Sequence, residues 1–110
     1  MSKNSNSLLN NVFKGTATME NNSVNLEIKI TKWEDGVMEF SQVLSQCDES
    51  LTDSSGTGKY TEDNDNVFIT MEDKISSFDG LFCWTTGVWE SRAVQKCNAT
   101  LTGSFLVKRV

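Results

Sequence analysis

Fifteen carboxylates, three cysteines and no histidine define the chemistry open to this chain. Without histidine there is no Ser-His-Asp or Cys-His pairing, no imidazole acid–base catalysis and no ordinary zinc centre. Cys47, Cys83 and Cys97 are too few and too scattered to form a disulfide framework. They read as buried free thiols, with Cys83 and Cys97 the pair that could bridge if their strands face each other. No phosphate loop and no dinucleotide-binding glycine pattern occurs. Asp63-Asn64-Asp65-Asn66 opens like a calcium loop, but Phe68 stands where that loop needs glycine and Lys74 where it needs glutamate. It reads as a solvated hairpin turn. Carboxylate pairs remain, and Glu39, Asp79 and Glu90 are the acids to examine for convergence in a cleft. The expectation is a protein that is not an enzyme and carries no metal or other cofactor.

Binding chemistry is left. The net charge of −5 opposes nucleic-acid binding, which needs a basic surface to displace counterions, and opposes docking on anionic lipid. The charge is also divided along the chain. Residues 34–73 hold eleven acids and one base, Lys59, whereas the remainder holds four acids and nine bases. Such a division suits a bipolar molecule that meets a protein partner through walls of opposite sign. No apolar run approaches the roughly 18–20 residues of a membrane span, and Met1 to Ser7 has no apolar signal core. A soluble protein is expected, cytoplasmic or already processed for secretion.

The elements that must position any site have a period of two. In residues 24–30, Val24, Leu26, Ile28 and Ile30 alternate with polar partners, the pattern of a half-buried strand. Residues 13–20 precede it across the turn cluster Asn21-Asn22-Ser23. Residues 37–46 follow Glu34-Asp35-Gly36, with Met38, Phe40 and Leu44 sharing a face with Gln42. Residues 47–55 read as a long polar loop. Further strands are expected at 56–61, 67–73, 78–85, 88–96 and 99–109, while residues 1–11 read as a polar lead-in tail to one domain, 12–110. Trp84 and Trp89 bracket the Thr86-Gly87 turn and fall on opposite faces by strict alternation, unless a bulge intervenes.

Eight such segments either stack as a β-sandwich or close as an antiparallel eight-stranded up-and-down barrel. Closure removes the unpaired edges, and the barrel is the favoured reading. Gly56-x-Gly58-x-Tyr60, Val67-Phe68-Ile69, Phe78-Asp79-Gly80, Trp89 and Leu101-x-Gly103-x-Phe105-x-Val107-x-Arg109 resemble the strand–turn cadence of lipocalin-like (calycin) barrels. The resemblance covers about the last half of the chain. It implies a carrier of a small apolar ligand, with a late basic residue, here Arg109, packed across a tryptophan. The first strand has Phe13-Lys14-Gly15 where that family has Gly-x-Trp.

Met38, Phe40, Tyr60, Trp84 and Phe105 are the expected lining of an apolar pocket. Glu90 and Arg92 join it if Val88 and Val94 face inward, giving an ion pair able to orient a polar ligand head. In the opposite register both stand in water. Large inward side chains favour a nearly filled interior, so any ligand is small or sits at the open end. The expected function is docking of a protein partner through the charged walls or the mouth, with carriage of a small apolar ligand as the alternative.

Overall fold

A computed structural model describes residues 7–19, 22–46, 49–74, 76–96 and 102–110. Eight strands follow one another: β1 (Val12–Met19), β2 (Asn22–Glu34), β3 (Val37–Gln46), β4 (Glu49–Asp63), β5 (Asn66–Glu72), β6 (Ser76–Cys83), β7 (Val88–Gln95) and β8 (Thr102–Arg109). Each pairs antiparallel with the next, and β8 returns to β1 from Phe13↔Arg109 to Met19↔Gly103. The sheet is therefore a closed up-and-down barrel, and the sandwich is ruled out.

Alternation decides which side chains enter it. Leu26, Ile28 and Ile30 of β2 are buried between exposed neighbours, and Val67, Ile69 and Met71 do the same in β5. A bulge between Ile30 and Lys32 breaks this rhythm. Strict alternation would send Trp33 outward; the extra residue turns it into the core. On β3, Phe40 and Met38 face Gly56 and Gly58 of β4. A Cβ at either glycine would sit 2.8 Å from Phe40 Cζ or Met38 Sδ. The two glycines thus let large side chains lie flat across the neighbouring strand.

Two expectations are corrected. Residues 49–55 belong to β4 and not to a loop, and Cys47 lies outside the described residues. Ser54, Ser55 and Asp53 find their partners in Gln42, Ser41 and Val43. The ladder offered by β3 decides the strand here, although no apolar alternation announces it. The polar lead-in is also more than a tail. Asn10 N–H donates to Ile30 O, Ile30 N–H to Asn11 O, and Leu8 is fully buried.

Leu8 stops one end of the barrel, where aromatic rings fill the interior. Phe13 meets Phe82 and Trp89 edge-on at 5.5 and 5.1 Å, and Trp33 stacks on Tyr60 at 3.6 Å. The turn Asp35-Gly36 at this end has both residues at positive φ, 54° and 80°, as a tight two-residue hairpin requires. The outer wall is charged and the interior apolar, the reverse of a barrel that faces lipid.

Candidate functional site

At the opposite end the inward positions are small. Ala17 of β1, Ser54 of β4, Ser76 of β6 and Ala93 of β7 stand where rings stand at the closed end. Their shortness leaves a cavity of about 290 Å³. Val24, Leu26, Leu44, Phe78 and Phe105 form its apolar wall. Phe105 separates the cavity from Trp89, whose ring lies 5.2 Å away, and Phe78 leans on Phe105 at 5.9 Å.

One polar cluster interrupts this wall. Gln42, 7% exposed, occupies an inward position of β3 between Phe40 and Leu44. Its amide nitrogen donates to Ser54 Oγ at 3.1 Å and to Asp73 Oδ2 at 2.9 Å. The second oxygen of Asp73 accepts Ser76 N–H at 2.7 Å, while Asp73 N–H donates to Ser76 O at 3.0 Å. Asp73 therefore closes the β5–β6 connection and sets the direction of Gln42. Burial without such partners would cost each polar group roughly 1–3 kcal/mol. Among the described residues no lysine or arginine lines the cavity and no group of three potential metal ligands occurs.

The expected lining residues divide. Phe105 borders the cavity. Met38 and Phe40 face inward but are sealed on Gly58 and Gly56 below it. Tyr60 is stacked on Trp33 in the closed end. Trp84 lies at the rim of that end, edge-on to Phe82 at 5.1 Å and beneath Arg109, whose Cζ is 5.4 Å from the ring centroid. The late basic residue thus does cover a tryptophan, one carried by the turn after β6. Trp89 is fully buried, so both tryptophans serve the closed end instead of opposite faces.

Glu90 and Arg92 point outward, correcting the inward alternative. Trp89, Ser91 and Ala93 take the inward positions of β7, and a period of two sends the charges into water. An apolar ring of that size outweighs Val88 in fixing the register, and burial of an ion pair carries a desolvation penalty. Glu39 and Asp79 also lie on the outer wall, so none of the three acids enters the cavity. Cys83 is a free thiol that donates to Asp65 Oδ2 at 3.1 Å in the closed end; Cys97 lies outside the described residues.

Missed by the sequence reading were Leu26, Asp73, Ser76 and Phe78 as wall and rim. Alternation puts Leu26 and Phe78 on inward faces without marking them as lining, and Gln42 carries the signal for polarity, an amide on an otherwise apolar face.

The outer surface has its own organisation. Ion pairs cross the seams where the acidic strands β3–β5 meet the rest. Lys32 reaches Glu39 at 4.0 Å and Lys96 reaches Glu72 at 2.7 Å, and the hydrogen bond and charge of Lys96 hold the Glu72 carboxyl below its usual range. Across the wall, Phe68, Leu81, Glu90 and Leu106 are in register, and Phe68 and Leu106 are each 49% exposed. At the closed end, hydrogen bonds from Thr85 and then Cys83 lower the Asp65 carboxyl.

The chain matches no protein-family profile and no curated protein sequence. Among solved structures it is similar to a redesigned beta barrel, with a TM-score of 0.62 and 13% identity over 94% of this chain and 92% of that one. At such identity the likeness is one of fold: the chain is a small closed eight-stranded β-barrel.

Proposed function

We propose that this protein is a carrier of calycin type that holds a small, mainly apolar molecule at its open end. The observation behind this reading is the cavity of about 290 Å³, apolar-walled and fitted with one buried hydrogen-bonding cluster. Apolar walls with a few convergent polar groups are the usual make-up of a small-molecule site, and this volume is at the lower limit of such sites. Arg109 over Trp84 supports the reading too, as a late basic residue packed across a tryptophan, here one carried by the turn after β6 and not by the first strand.

Titration with the uncharged fluorophore N-phenyl-1-naphthylamine tests the reading. Emission should rise on binding to the native chain. Ala93→Phe, which puts a ring into the cavity, should weaken binding at least tenfold while the β-sheet circular dichroism is kept. Equal binding by the folded variant would contradict the site.

A second reading, docking of a protein partner, is favoured by the outward row Phe68, Leu81 and Leu106 beside Glu90. Exposed apolar rows of this kind are frequent at protein contacts. Native mass spectrometry of the protein drawn gently from its own cells separates the two. A second polypeptide lost on Phe68→Ser supports docking; a bound mass of a few hundred daltons supports carriage.

A further inference from the structure

Resting on the carrier reading above, we infer that the cargo is an amphipathic amine, bound as its ammonium ion with the head at Asp73 and Gln42. Asp73 and Gln42 present acceptors to the cavity, whose lining also includes the amides of Asn22 and Gln95. Asp73 is a carboxylate and can only accept while ionised. Gln42 has given its amide hydrogens to Asp73 and Ser54, so what it retains for a ligand is its carbonyl oxygen. The orientation is enforced, because turning the amide over would set that carbonyl against the Asp73 carboxylate. Ser54 and Ser76 add hydroxyls, which adapt to either role.

Charge points the same way. The lining residues among those described include one acid, Asp73, and no base. Of the bases at this end, Lys96 is held by Glu72 at 2.7 Å and Lys74 is exposed. A carboxylate or phosphate head entering here would lose water beside a like charge and find no cation among the described lining residues to replace it. An ammonium head would meet a carboxylate at the edge of an apolar chamber, where screening by solvent is reduced. Its hydrocarbon chain would run over Leu26 and Leu44 toward Phe78 and Phe105. The volume suits a chain of about eight carbons and leaves no room for a long acyl tail.

Four probes with one octyl chain decide the matter on the native protein by calorimetry at neutral pH and low salt. Octylammonium should bind at least tenfold more tightly than octanoate, with octanol between them. Octyltrimethylammonium, which keeps the charge but has no N–H, should bind several-fold more weakly than octylammonium. Asp73→Asn, which retains an acceptor for Ser76 N–H, should bring octylammonium within about threefold of octanol. Because the native series is decisive alone, a poorly folded variant leaves the test intact. Octanoate equal to or tighter than octylammonium overturns the amine assignment and leaves the carrier reading standing. Octylammonium no better than octanol overturns the role of the Asp73 charge. Failure of all four to bind, together with failure of the uncharged fluorophore, overturns the carrier reading itself.

Discussion

The closed and open ends of this barrel use the same eight strands and the same alternation, yet one end is solid and the other hollow. Leu8, Phe13, Trp33, Phe82 and Trp89 fill the first, helped by a bulge that turns Trp33 inward. Ala17, Ser54, Ser76 and Ala93 leave space in the second, and Asp73 and Gln42 bring polarity to it. Backbone closure does not by itself decide whether an eight-stranded barrel holds a ligand. The volume of the inward side chains decides it, layer by layer. On the carrier reading proposed above, stability and binding fall at different ends of one short molecule.

The largest expected effect that could break this contrast is in stability. Trp89→Ala should cost about 3–5 kcal/mol, because deletion of a fully buried ring leaves a void that its neighbours cannot close. Leu26→Ala, beside existing space, should cost only about 2 kcal/mol, near the lower limit for such truncations. Urea unfolding of the two variants measures both. Equal losses would mean that the two ends share the load, against the division argued here.

A smaller effect concerns the turn that finishes the closed end. Asp65 accepts from Cys83 Sγ and Thr85 N–H, and Trp84 N–H donates to its carbonyl. The hydrogen bonds from Thr85 and then Cys83 lower the pKa of its carboxyl in the folded chain, so the stability it contributes is fully present above its unfolded value, about pH 4. That stability is lost as the pH falls through the lower folded value. Asp65→Asn should be less stable than the native protein at neutral pH, and the gap should shrink on acidification. A gap that widens toward low pH would reverse the assignment. Thermal melts from pH 2 to 7 read the difference.

How much of this was legible beforehand follows from local pattern. Val24 to Ile30 shows its inward face directly, because apolar and polar residues alternate without interruption, whereas Phe78 to Trp84 shows it through Phe78, Phe82 and Trp84 although Leu81 stands on the other face. Segment 49–55 is polar except for Leu51, and only its pairing with β3 makes it a strand. Trp33 and the Glu90–Arg92 pair depend on register, and one residue of shift exchanges the two faces of a strand. Trp33 was re-aimed by a bulge, and β7 was anchored by Trp89 and not by Val88. The rim was the least legible. Gln42 and Asp73 are thirty-one positions apart, and their hydrogen bond exists only after the barrel has closed. Gln42 on an apolar face was the one visible sign that a polar partner had to be waiting across the interior.

A ligand that enters the open end should leave the aromatic end untouched, and amide and indole chemical-shift mapping reads both ends in one experiment. With N-phenyl-1-naphthylamine added, the backbone signals of Leu44, Asp73, Ser76, Phe78 and Ala93 should move, and the indole N–H signals of Trp33 and Trp84 should not. Movement of those indoles, with the open-end amides still, would contradict the account.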